Sequence, residues 1–241
     1  MQKIYIVLLV ILASNVISSC ALKKEPEVVS DLASQSGNIY DNLVYVEENG
    51  ELVPFIVAEE DYNGEVLLIR KDILPMPRKI NKYGSYYEDS DIDKYLNDYY
   101  CKTLAINRDI SNSKIAITMD NSIGFSGTEV KYIERKVFLL SLTEIGIKND
   151  YNTGKEGNPV SFFDSAEKRI AFLQGDASSW WLRSPNTYYV SSTYGVGPDG
   201  RIGSGNSFDE NGIRPCFCVS PTKRIIKKQD ATSEKMIFCL S

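Results

Sequence analysis

Four cysteines follow residue 20, and Cys216-Phe217-Cys218 sets two of them at strand spacing, so that both thiols would share one face of an extended segment. A metal or a redox pair needs further partners, and the chain contains no histidine to supply an imidazole. That absence removes Ser-His-Asp and Cys-His hydrolysis, His-ligated zinc and proximal-His haem together. Buried small residues or a structural disulfide are the plainer account of Cys101, Cys216, Cys218 and Cys239. An exported chain permits disulfides, and four thiols leave three connectivities open.

Carboxylates are the remaining acid-base groups. Glu59-Glu60-Asp61 offers acids for glycoside hydrolysis, but adjacent acids running into Asn63-Gly64 read as a solvated turn. Asp89-Ser90-Asp91-Ile92-Asp93 has the alternating acids of a calcium loop, yet Lys94 stands where that loop needs Gly and Tyr100 where it needs Glu. A helix capped by Ser90, with Asp91 and Asp93 in its positive first turn, fits better.

The densest feature is Trp180-Trp181-Leu182-Arg183-Ser184-Pro185. In a strand Trp180 and Leu182 share one face, Trp181 and Arg183 the other. Either Trp181 is exposed and stacks on a sugar or peptide with Arg183 donating hydrogen bonds beside it, or both indoles are core and Arg183 fixes a loop through carbonyls or an acid. Core burial is favoured, because large aromatics dominate it. The candidate ligand surface is Trp181, Arg183, Tyr188, Tyr189 and Tyr194. In Gly212-Ile213-Arg214-Pro215 the arginine is expected to pair with a buried acid at the end of a sheet.

Elements must position these groups. Residues 1–19 carry Lys3, an apolar run from Ile4 to Ala13 and Ile17-Ser18-Ser19 before Cys20. The run is too short for a bilayer and reads as a secretory signal. Ile17-Ser18-Ser19-Cys20 resembles the bacterial lipobox, which implies cleavage before Cys20, lipidation there and a membrane-anchored location outside the cytoplasm. Residues 20–38 are then a lipidated tether, 39–220 the folded domain, and 221–241 a tail or last strand. Strand-rich runs broken by Asn49-Gly50 and Asn63-Gly64 predict hairpins. Helices are expected after Ser90, with Ile92, Tyr95, Leu96 and Tyr99 on one stripe, at Ser141–Glu144 and at Asp164–Leu173. Strands early and late around these helices give an α+β single mixed domain whose ends meet in one sheet.

The composition, 43% hydrophobic with a net charge of -5, supports a sizeable core and lacks the basic footprint of nucleic-acid binding. Without residues 1–19 the side-chain charge is -6, since Lys3 is the one charge lost. Such a body is repelled by anionic headgroups, so the acyl chains must anchor it.

Read together, Trp180 to Pro185 and Gly212 to Pro215 resemble the paired WWLRSP and GVRP signature of the bacterial domain of unknown function 6273 family. Ile92-Asp93-Lys94-Tyr95-Leu96-Asn97 and Lys136-Val137-Phe138-Leu139-Leu140-Ser141-Leu142 are similar to two further family segments, and the likeness covers about residues 51–220. The resemblance implies secreted, lipid-anchored or multidomain surface proteins. More loosely, the Trp motif with a closing G-[IV]-R strand is similar to C-type-lectin-like and formylglycine-generating-enzyme-like domains. Ser184-Pro185-Asn186 lacks the acid of the lectin calcium motif, and Cys216 and Cys218 lack the oxidase spacing, so no metal or cofactor is expected. The expectation is a non-catalytic surface module binding carbohydrate or protein. The rival classes are an exported carboxylate-dependent glycosidase or cysteine-dependent oxidase, and a structural envelope component.

Overall fold

The computed structural model describes residues 25–33, 42–120, 127–148, 152–230 and 233–241. The signal segment and Cys20 lie outside them. Asn49-Gly50 and Asn63-Gly64 each combine two positive φ angles, 52° and 88°, then 57° and 89°. That is the two-residue turn whose twist matches antiparallel strands, so the first runs close into hairpins as predicted. They join β1 (Leu43–Glu48), β2 (Glu51–Tyr62) and β3 (Glu65–Arg70). The chain continues through α2 (Asp91–Lys94), β4 (Ser113–Thr118), β5 (Val130–Arg135), β6 (Val137–Phe138), β7 (Ala171–Leu173), β8 (Asp176–Ser178), β9 (Trp180–Pro185), β10 (Ser192–Val196) and β11 (Ile202–Asn206). It ends in β12 (Cys216–Val219), β13 (Ile225–Gln229) and β14 (Met236–Leu240); a short α1 (Ser30–Ala33) precedes β1.

Seven strands form the main sheet in the order β13-β14-β1-β2-β3-β12-β6, with β9, β10 and β11 in a second sheet. β1 and β14 run parallel with Tyr45 opposite Cys239, so the two ends do meet in one sheet. Register assigns the faces. Val44, Phe55, Arg70, Leu68 and Phe217 follow one another across the strands on one side, and Ile56, Ile69, Cys216 and Phe138 on the other. The first face meets the helical segment through Tyr100, whose hydroxyl donates to Glu48 Oε2 at 2.7 Å. The second carries the layer built around β9, where the Arg183 guanidinium lies 5.9 Å from the Phe138 ring centre.

The protein is mostly β, and this corrects the α+β expectation. Ser141–Glu144 makes a single turn: it opens as a capping box, Ser141 Oγ accepting from Glu144 N–H at 3.1 Å and the Glu144 carboxylate from Ser141 N–H at 3.0 Å, but Gly146, with φ of 80°, ends it at once. Within Asp164–Leu173 the last three residues are β7, turned into β8 by Gln174-Gly175 with φ of 54° and 96°. The helix after Ser90 does form, with Ser90 Oγ accepting from Asp93 N–H at 3.2 Å. It then widens into a π-helical stretch over Tyr95–Tyr99. The wider turn shifts the buried stripe by one residue, so Tyr100 enters the core and Tyr99 is 69% exposed.

The tether expectation is corrected in its described part. Val29 and Leu32 are buried, Val28 bridges Arg224, and Glu27 C=O accepts from Ile225 N–H at 3.1 Å, so residues 25–33 are docked on the domain. Residues 221–241 provide β13 and β14, both in the main sheet. Among the described residues no helix is long and apolar enough to cross a membrane.

Candidate ligand surface

All six residues of β9 are buried. Arg183 and Glu144, both 0% exposed at their side chains, form a bidentate pair at 2.6 and 2.7 Å. The guanidinium also donates to Ala116 O at 3.0 Å and Leu139 O at 2.7 Å, while Tyr62 donates to Glu144 Oε1 at 2.6 Å. Burial alone pulls the Arg183 guanidinium down, but the Glu144 carboxylate more than offsets it and leaves it above the ordinary arginine range. Burial first, then Glu144, drives the Tyr62 phenol well up. The next residue takes a second buried acid: Ser184 donates to Glu156, whose other oxygen accepts from Thr118 N–H at 2.7 Å. Burial raises the Glu156 carboxyl above its usual value.

Arg183 is therefore a structural ion-pair residue, and its assignment to a ligand surface is corrected. Arg214 is corrected differently. Among the described residues it has no carboxylate in salt-bridge range; it is buried, donates to Arg70 O at 2.9 Å, and stands 5.3 Å from the Trp180 ring centre and 5.9 Å from that of Phe163. Burial lowers its guanidinium to about 10. The pairing expected of Arg214 is made by Arg183, one motif earlier. Trp180 is core, its indole N–H donating to Arg169 O at 3.0 Å. Gly212 is where the two motifs touch: Trp181 N–H donates to its carbonyl at 2.9 Å, and a Cβ there would stand 2.4 Å from Ser179 O.

Trp181 is only 3% exposed, its indole N–H donating to Arg78 O at 3.1 Å, but its edge forms the wall of an open pocket of about 290 Å³. Gly195 and Gly203 face each other across β10 and β11, with Trp181 opposite Gly195 on β9. The indole lies against Gly195 and Gly205, where a Cβ would come within 3.4 and 3.1 Å of its carbons; at Gly203 nothing lies within 4 Å. Missing side chains on facing strands thus open the pocket. Asn211 and Arg201 line it further. Asn211 Oδ1 is used by Ser179 Oγ at 2.6 Å and by Gly212 N–H at 2.8 Å, which turns the amide nitrogen toward Gly195.

Tyr188 and Tyr189, 61% and 60% exposed, pack edge to face at 4.8 Å in the turn before β10. Asn186 holds that turn: its Oδ1 accepts from Tyr188 N–H at 3.1 Å and its carbonyl from Tyr189 N–H at 3.1 Å. Tyr194 is buried and leaves the proposed surface.

A family model described as a domain of unknown function (DUF6273) matches residues 63–221. The chain belongs to this family. No curated protein and no solved structure matches it. The matched span of the DUF6273 domain starts inside the second hairpin turn, so β1, β2, β13 and β14 lie outside it although they share its main sheet.

Other candidates do not converge on the DUF6273 pocket. Cys101, Cys216, Cys218 and Cys239 are free and buried, and burial pushes the Cys216 and Cys218 thiols up, away from the reactive thiolate. Glu59, Glu60 and Asp61 lie in β2 and not in the turn expected of them, and Glu59 accepts from Ser161 N–H at 2.7 Å at the surface. Asp93 is held by Arg135 at 2.7 Å. Among the described residues no group of His, Cys, Asp and Glu could hold a metal. Sequence reasoning missed Glu144, Glu156, Asn211 and the glycines. Gly195-Val196-Gly197 and Gly203-Ser204-Gly205 were the available signal, since glycine at period two bares one sheet face.

Proposed function

We propose that the chain is a lipid-anchored surface module that binds carbohydrate without catalysis, in the pocket beside Trp181 and on the exposed Tyr188-Tyr189 pair of the same small sheet. The observation that carries this reading is the bare Gly203 opposite Gly195 in a pocket walled by the Trp181 indole; the exposed Tyr188-Tyr189 pair stands at the other end of the same β9–β10 hairpin. Flat apolar walls with few polar groups, here the Asn211 amide and Arg201, suit a ring with hydroxyls at its edge. The two buried glutamates are saturated with hydrogen bonds, which removes support from a carboxylate-pair hydrolase. The lectin-like comparison is supported by the side-by-side first and last strands and by the small second sheet carrying the pocket. Lipidation at Cys20 is part of the proposal.

The test is binding to a glycan array by the protein, by Tyr188→Ala/Tyr189→Ala and by Gly203→Leu. A glycan signal that drops about tenfold or more in both variants, with melting unchanged, supports the reading. Binding indifferent to both, or no glycan bound, refutes it. For the anchor, Cys20→Ser should abolish palmitate labelling and release the chain from membranes; retained label overturns lipidation.

A further inference from the structure

The docked segment 25–33 fixes where the chain leaves the domain. Glu25 lies on the outer edge of the main sheet, paired with Lys227 at 2.6 Å, while Glu27 C=O accepts from Ile225 N–H of β13 and Val29 N–H donates to Lys223 O, two residues before that strand. From Cys20 to Glu25 are five Cα steps, at most ~18 Å when fully extended. A domain of this size has a radius of gyration of roughly 17 Å. A lipid on Cys20 therefore holds the β13 edge close to the bilayer, with no room for the domain to stand off.

Charge is distributed to match. Residues 25–33 and 221–241 carry five basic and five acidic side chains and are neutral, whereas residues 34–220 carry 19 basic and 27 acidic. Arg224, Lys228 and Lys235 are exposed on the β13–β14 hairpin, beside Ile226, 41% exposed, and Met236, 54% exposed. The acids there are Glu25 and Glu27, with Asp31, Asp230 and Glu234. A groove of about 520 Å³ opens beside the hairpin between Tyr45, Lys71, Lys235, Met236 and Phe238. Lysines and arginine over short apolar side chains, with a tyrosine at the margin, are what a headgroup layer accepts.

We infer that the β13–β14 edge is a membrane-docking face that rests on anionic lipid headgroups. It orients the domain, with the acidic remainder turned away from the bilayer. The inference rests on the anchor at Cys20 for its geometry, and its test is independent of lipidation. The chain from residue 20 onward with Cys20→Ser retains every described residue. It is floated with vesicles of phosphatidylcholine alone or with about a third phosphatidylglycerol. The expected result is binding to the anionic vesicles at low salt, lost near 0.5 M salt where the Debye length is about 4 Å. Each neutralised basic residue should weaken binding by up to about fivefold, so Arg224→Gln/Lys228→Gln/Lys235→Gln should lose at least tenfold, while Lys94→Gln/Lys102→Gln, outside this edge, should not.

Equal binding to both vesicles, no binding, or a triple variant that binds like the parent overturns the docking face. So does a triple variant that keeps its vesicle binding but self-associates, since lysines on an edge strand also guard against strand pairing. The salt arm needs no variant and decides the matter if the triple variant does not fold. Palmitate labelling reads the anchor separately: a labelled chain whose unlipidated form ignores phosphatidylglycerol keeps the anchor and loses the docking face.

Discussion

Glu144→Gln is the most informative single change to the fold. The amide keeps the shape of the carboxylate but removes the only negative charge paired at 2.6 and 2.7 Å with Arg183, whose side chain is 0% exposed. Two carbonyls, Ala116 O at 3.0 Å and Leu139 O at 2.7 Å, remain as acceptors. They satisfy hydrogen bonds without neutralising the cation. Leaving one partner of a buried ion pair uncompensated costs about 3–5 kcal/mol. In a domain of about 200 residues that is a fall in Tm of roughly 6–20 °C. Urea unfolding followed by tryptophan fluorescence measures it directly, because Trp180 and Trp181 flank the site in sequence.

The double variant sharpens the logic. Arg183→Leu/Glu144→Leu removes both charges together, so it should cost less than the sum of the two single leucine variants, with a coupling of about 1–3 kcal/mol. Additive costs would show that the pair is not the unit that holds β9 to Glu144. A Glu144→Gln protein within about 1 kcal/mol of the parent would refute the reasoning altogether.

Arg214→Leu should cost at least about 2 kcal/mol less than Arg183→Leu, because Arg214 is buried without a salt-bridged acid and its cation already bears a desolvation cost; urea midpoints compare the two. Glu156, raised by burial, stabilises the fold fully below the ordinary Glu value of about 4.3, and that contribution is lost as pH rises through its raised folded value. Stability measured against pH should therefore fall through that window in the parent and flatten there in Glu156→Gln. Tyr100→Phe should cost about 1–3 kcal/mol by leaving the buried Glu48 short of a donor, while Tyr99→Ala stays within about 0.5 kcal/mol. Gly157→Ala should destabilise by more than about 1 kcal/mol, since φ is 89° and the new Cβ would meet Glu144 Oε1 at 3.0 Å.

The sequence was legible where a local rule decides the outcome. Asn-Gly pairs made hairpins, and Ser90 capped its helix, because those residues choose a backbone shape without tertiary help. It was illegible where a distant partner decides. Ser141–Glu144 carries a helix start and makes its capping-box bonds, but Gly146 ends the turn and the buried glutamate pairs with Arg183, far along the chain, a partner no local rule names. The one-residue slip that exchanges Tyr99 for Tyr100 follows from a π-helical turn, which the 3.6 period does not encode. Of the candidate site, Trp180, Pro185, Gly212 and Arg214 are buried, Arg183 and Tyr194 are inside as well, and Tyr188 and Tyr189 alone are fully at the surface. Cys20 lies outside the described residues.

These placements separate what makes the family's fold from what gives this chain its contacts. Trp180, Arg183, Ser184, Gly212 and Arg214 are consumed by buried hydrogen bonds, an ion pair and close backbone approach, so a change at any of them is felt through stability before it is felt through a ligand. Gly203, Asn211, Arg201, Tyr188 and Tyr189 touch the core little or present their free side to solvent. Substitutions there should move binding while leaving the urea midpoint in place. The same separation applies to charge. A net value of -6 argued against any headgroup contact, but Lys223, Arg224, Lys227, Lys228 and Lys235 lie on or beside the β13 edge of the main sheet, and at ~10 Å screening length the proposed docking depends on that edge and not on the total.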